Sequence, residues 1–257
     1  MVLGTVMVLF LLLPVAVILG HGLQSGLAGA LSSPAVQSAV RVSAETTAIT
    51  LLLAVVFGTP IAYSLARSEF PGKPLLDALL DLPIVLPPVV AGLGLLLTFG
   101  RNGLLGPGLR LAGLELAFSP TAVVLAQLFV AGPYFIRAAR AGFQSVEQDI
   151  VNAALTDGAS DLQAFRFVTW PLAWPALLEG LVLAWTRALG EFGATILFAG
   201  SLEGRTRTMT LAVYGALESD LDAALVLSGL MALLAFVVLF VFRWLGSRRD
   251  AMGHTVR

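Results

Sequence analysis

A chain of 257 residues that is 58% hydrophobic and only 12% charged, with a mean hydropathy of +0.91, is too apolar for a soluble domain. In soluble domains charged residues make up about a quarter of the chain. Lipid accepts apolar side chains all round a helix, so the composition points to an all-α polytopic membrane protein. A formal charge of −1 gives no electrostatic case for nucleic acid, and the lack of cysteine excludes disulfides and thiolate metal sites.

Apolar stretches near 20 residues, the helix length that crosses a hydrocarbon core of about 30 Å, occur six times. They cover roughly 2–19, 46–66, 82–99, 120–136, 172–198 and 223–245. The first is followed by Leu27 to Ser33, whose Ala28-Gly29-Ala30 triplet resembles a signal-peptidase site. No Lys or Arg precedes the apolar run, as a signal peptide requires, so the span is read as retained. Pro60 predicts a kink in the second span. No internal repeat or second domain is visible, so 1–257 reads as one transmembrane domain. His21 and His254 lie outside the spans, which leaves little for histidine-based catalysis.

With the N-terminus in the cytoplasm, nine Lys and Arg fall on the inner side, among them Arg67, Lys73, Arg137, Arg140 and Arg166, against five outside: Arg41, Arg101, Arg110, Arg205 and Arg207. That bias sets the orientation, with both termini cytoplasmic. Asp77 and Asp81 at the start of span three, and Arg137 and Arg140 at the end of span four, complement the helix dipoles.

Between spans four and five the sequence turns polar. The stretch NAALTDGASDLQAFRFVTWP runs from Asn152 to Pro171. Asn152, Ala153 and Ala154 begin a short helix that other surfaces can approach closely. Gly158 ends it in a left-handed conformation, Ser160 or Asp161 caps a second helix carrying Phe165, Phe167 and Val168, and Pro171 opens span five. Segment 146–171 thus reads as an angled pair of helices on the cytoplasmic face.

The spacing of Ala153-Ala154, Gly158 and Val168-Thr169-Trp170-Pro171 resembles the EAA motif of permease subunits of binding-protein-dependent ABC importers. The resemblance implies the type I ABC importer permease fold, six transmembrane helices with a cytoplasmic coupling-helix pair. It also implies that Asn152, Ala153, Ala154, Asp157, Gly158, Ala159, Phe165 and Pro171 dock on an ATPase. The motif glutamate is replaced by Asn152, which keeps a polar head without the charge. The stretches 70–96, 100–106, 188–200 and 206–219 resemble molybdate and tungstate permeases, and sulfate permeases share the Gly190-Glu191-Phe192-Gly193 element. The implied function is the pore subunit of an ATP-driven importer of a tetrahedral oxyanion, molybdate or tungstate, in a prokaryotic inner membrane. The alternatives are a sulfate or thiosulfate permease and, from another class, an ion-coupled secondary transporter or a membrane-embedded enzyme. A secondary transporter needs more intramembrane acids and repeats than this chain shows.

A single half-site without a repeat calls for a second copy of the chain. The other partners implied are two cytoplasmic ABC ATPases, which carry the ATP and Mg, an extracytoplasmic oxyanion-binding protein, and the bilayer. The chain itself is expected to bind no cofactor or metal. For the pore, Pro83, Pro87 and Pro88 either line the path or make a packing kink. Arg187 and Glu191, one helical turn apart inside span five, can pair, and with Phe192 they are gate candidates. The pair reads either as a lock or as a waypoint for the anion. The outer loop, with Arg205, Arg207, Glu218, Asp220 and Asp222, is either a docking rim or a solvated loop.

Overall fold

Pro87 and Pro88 show how this sequence divides its helices. In the computed structural model, which describes residues 2–24 and 31–253, Leu86 and Pro87 are both extended, with ψ of 134° and 133°. A residue before proline is pushed out of the helical region, and two in a row stop the helix. What reads as one kinked span is therefore two helices, α3 (Lys73–Val85) and α4 (Pro88–Phe99), meeting at 113°. The break falls at Leu86–Pro87, and Pro83 lies within α3.

The remaining helices in chain order are α1 (Val2–Gln24), α2 (Pro34–Arg67), α5 (Gly106–Leu111), α6 (Pro120–Ser145), α7 (Gln148–Thr156), α8 (Asp161–Ala164), α9 (Trp170–Leu189), α10 (Gly193–Phe198), α11 (Met209–Leu217) and α12 (Leu221–Gly253). Among the described residues there is no strand. Among the described residues five helices are long and apolar enough to cross a membrane, and six if the α3–α4 pair is one span. The fold is all-α, as the composition requires. Helix boundaries differ from the apolar runs because polar residues extend helices beyond the oil: α2 begins at Pro34 and α6 continues to Ser145. Helix α2 runs through Pro60 without interruption. The signal-peptidase-like triplet 28–30 and His254 lie outside the described residues.

The chain forms two compact units, 1–45 with 200–257, and 46–199. In the first, α1 is apolar all round, as a lipid-facing helix should be, and crosses α12 where Gly22 and Gly229 meet. The Ser43 hydroxyl accepts the first N–H of α11 from Met209 at 2.8 Å. The loop before α11 is folded on itself. Leu202 O accepts three backbone N–H groups, and the Arg207 guanidinium holds Ser201 and Glu203.

The second unit is built on α6 and α9. Ala131, Phe135, Ala139 and Phe143 on α6 recur every fourth residue, and Ala173, Leu177, Ala184 and Ala188 line the facing side of α9. Small residues at the seam let the backbones approach, the main source of helix association where lipid tails are as apolar as leucine. A Cβ added to Gly142 would stand 2.5 Å from Ala176 Cβ, and one on Gly180 would stand 2.8 Å from Ala138 Cβ. A second cluster joins Ala91 and Leu95 of α4, Val123, Ala126 and Val130 of α6, and Ala194 and Phe198 of α10. Helix α3 is tied to α6 by charge, Arg140 to Asp77 at 2.6 Å and Arg137 to Asp81 at 2.8 Å. Both aspartates lie past the first turn of α3, so they serve this pairing rather than the helix end.

Candidate functional site

Two places in the second unit gather chemistry. The first is the polar segment after α6. Helix α7 closes in a Schellman turn: Ala159 N–H donates to Ala154 O at 3.0 Å and Gly158 N–H to Leu155 O at 3.1 Å. Gly158 has φ +95°, a conformation that costs any residue with a Cβ, and a Cβ there would meet nothing within 4 Å. Ser160 then starts α8 with a reciprocal capping box. Its hydroxyl accepts Gln163 N–H, and the Gln163 side chain accepts Ser160 N–H at 2.8 Å.

The second helix does not end before Pro171. Helix α8 passes through a π turn, Phe165–Thr169, straight into α9, and Pro171 sits in the first turn of α9 where its missing N–H is absorbed. The angled pair is therefore α7 and the leading end of one long helix. Asn152, Ala153, Asp157, Gly158 and Pro171 are exposed, while Ala154 and Ala159 are half-buried. Phe165 turns inward, its ring 4.9 Å from Tyr63 and 6.1 Å from Phe143. The exposed apolar groups beside the turn include Ile150, Leu155, Leu162 and Phe167.

The second place is the break after α9. The apolar run continues through Phe198, but the helix stops at Leu189, and α10 starts only at Gly193. Phe192 is the N-cap of α10 and its side chain has no acceptor to offer. Glu191 supplies it instead, Oε1 accepting Ala194 N–H at 2.7 Å. Its other oxygen lies 3.1 Å from Arg187 Nη1. The carboxylate is fully buried, whereas the Arg187 side chain is 28% exposed. Arg187 and Glu191 pair as their spacing suggests, but Glu191 stands in the break and not on a helical face of span five.

Sequence reading missed Gln127. It is 1% exposed on α6, accepts a hydrogen bond from Thr50 of α2 at 3.1 Å and donates to Ala188 O in the last turn of α9 at 3.2 Å. A lone glutamine in an apolar helix was the available signal, since its amide must find partners away from water. Helices α4 and α10 meet backbone to backbone. A Cβ on Gly92 would be 2.7 Å from Ala194 Cα, and one on Gly193 would be 2.9 Å from Pro88 Cβ. Pro87 and Pro88 therefore place α4 against the break that holds Glu191 and Phe192. Among the described residues, no group of three or more His, Cys, Asp or Glu could hold a metal ion.

Comparison with known proteins fits this architecture. Residues 54–250 match the family model described as "Binding-protein-dependent transport system inner membrane component". The chain is 44% identical over 208 residues to the molybdenum transport system permease protein ModB of Mycobacterium tuberculosis, covering 81% of this chain and 79% of that one. It is 33% identical over 252 residues to a probable sulfate transport system permease protein, cysT, of Nephroselmis olivacea, covering 96% and 89%. A crystal structure of a bacterial ABC transporter that imports the acidic polysaccharide alginate shares the fold, with a TM-score of 0.73 at 16% identity over 96% of this chain and 94% of that one. The chain belongs to the family of binding-protein-dependent transport system inner membrane components, as a multi-pass ABC importer permease and not an enzyme.

Proposed function

We propose that the chain is the pore-forming subunit of an ATP-driven importer for molybdate or tungstate, working as a homodimer with two ATPase subunits and an extracytoplasmic oxyanion-binding protein. The observation that carries the choice of anion is the 44% identity to a molybdenum permease over four fifths of both chains, against 33% to a sulfate permease. The positive-inside bias puts the α7–α8 turn in the cytoplasm, where ATP and Mg2+ are bound by the partner. Asn152, Ala153, Ala154, Asp157, Gly158 and Ala159 present a rigid turn to that ATPase, flanked by Leu162 and Phe167. Phe165 and Pro171 support it from behind, Phe165 by its contact with Tyr63 and Phe143. Closure of the ATPases draws two such turns together and opens the pore on the other side. Pro83, Pro87, Pro88, Arg187, Glu191 and Phe192 shape the path where α4 meets the break before α10.

Two measurements on the assembled transporter in proteoliposomes test this reading. ATP-dependent uptake of molybdate should be competed by tungstate and spared by sulfate. Equal uptake and competition by sulfate would put the sulfate reading in its place. Gly158→Pro should abolish co-purification of the ATPase while leaving the membrane helices folded. Proline cannot reach φ +95° and removes the N–H bonded to Leu155 O, a cost of about 3 kcal/mol at this turn. Retention of the ATPase by that variant would remove the turn from the coupling path.

A further inference from the structure

We infer that Arg67 is a positioning residue that ties the transmembrane helix α2 to α7, so that a displacement of α7 by the ATPase is delivered to the membrane core. The inference rests on the proposed coupling role of α7 and adds a residue that the motif does not contain. Arg67 is the last residue of α2. Its guanidinium donates from Nη2 to Val146 O at 2.9 Å and from Nη1 to Gln148 Oε1 at 2.6 Å. Val146 is where α6 ends, and Gln148 is the first residue of α7. One planar group therefore spans the joint between the two helices and fixes it to a third. Two parallel donors on a flat fork resist rotation of the joint in a way that a single point charge does not.

The same group sets the chemistry one turn further on. A guanidinium only donates, so it holds the Gln148 amide with its oxygen toward α2 and its nitrogen outward. That nitrogen donates to Asn152 Oδ1 at 3.1 Å. Asn152 is thus the end of a relay, Arg67 to Gln148 to Asn152, with its acceptor turned toward its own chain. An amide at this position, in place of the motif glutamate, has one side engaged internally and presents its N–H donors outward. Transmission through this point then depends on how firmly the relay holds α7, more than on a charge at position 152.

The test uses the transporter assembled with its ATPase and binding protein in proteoliposomes, reading ATP hydrolysis and molybdate uptake together with co-purification of the ATPase. Arg67→Ala should keep the ATPase bound and hydrolysing while uptake per ATP falls by about tenfold, the range of a typical coupling between sites. Gln148→Leu, an exposed position whose change leaves the core intact, should reproduce part of that loss. Gln148→Glu, which still accepts from Arg67 but can no longer donate to Asn152 Oδ1, should keep the tie between α2 and α7 and with it most of the coupling, and Arg67→Lys should keep it only in part. An unchanged ratio of uptake to hydrolysis in Arg67→Ala and Gln148→Leu overturns the inference. So does loss of the ATPase from Gln148→Leu, which would make the contact one of assembly. If the wild-type chain binds no ATPase, the proposed function fails instead, and the two failures are distinct.

Discussion

Glutamine in place of Glu191 is expected to leave the transporter assembled but uncoupled, with ATP hydrolysis continuing without loaded binding protein and uptake reduced by at least about tenfold, roughly 1.4 kcal/mol of lost coupling. The substitution separates the two jobs of this side chain. Glutamine keeps an oxygen at the same reach, so Ala194 N–H remains capped and α10 keeps its start. What it removes is the charge facing Arg187 at 3.1 Å. Loss of one partner from a fully buried pair costs about 3–5 kcal/mol, but the Arg187 side chain is 28% exposed, so the pair is not closed off on all sides and the cost is smaller. We therefore expect about 1–3 kcal/mol of destabilisation, enough to loosen the break and too little to unfold the chain. The readouts are the stimulation of ATP hydrolysis by loaded binding protein and the rate of anion uptake. If stimulation stays normal while anion uptake alone changes, Arg187 is a waypoint for the anion and not half of a lock. Undiminished uptake by a normally assembled Arg187→Ala would dismiss both roles.

A second large effect is expected at Gly92. A Cβ here would lie 2.7 Å from Ala194 Cα and 2.8 Å from Ala194 O, atoms of a backbone that cannot rotate away. Alanine already forces α4 and α10 apart, and leucine adds three more carbons to the same space. Overpacking of this kind costs about 1–3 kcal/mol, and more where the neighbour is backbone. Gly92→Leu should therefore sharply reduce the yield of monodisperse protein in detergent and lower its unfolding temperature. Gly94 is the control. It lies two residues further along α4 with nothing within 4 Å of an added Cβ, so Gly94→Ala should change stability by no more than about 0.5 kcal/mol. Equal tolerance at both positions would mean that α4 and α10 do not meet as described.

These two residues also show where sequence reading succeeds and where it stops. The Arg187–Glu191 pairing was legible because charges in an apolar run are few and four residues is one helical turn. The break between them was not, since Gly190 to Phe198 is as apolar as the helix before it and hydropathy carries no signal for a change of direction. Gly92 was visible as a glycine, but its closeness to Ala194, about a hundred residues away, belongs to packing. At the turn between α7 and α8 the chemistry is local, so the Gly158 conformation and the Ser160 cap could be read in advance. Pro171 does sit in the first turn of α9, but it does not separate that helix from the one before it. A proline in a first turn is compatible with a helix arriving from upstream, and the π turn at Phe165–Thr169 delivers one. Arg67 and Gln127 were missed because each owes its role to partners in distant helices.

The unbroken run from Asp161 to Leu189 has a mechanical consequence. Its 29 residues make a stiff arm of about 43 Å at 1.5 Å per residue. Pivoted near Ser160, a tilt of about 10° carries the far end by roughly 7 Å, more than the radius of a helix backbone. The far end is where Arg187 and Glu191 sit. A small rotation about the Ser160 end thus arrives at the break as a large lateral stroke.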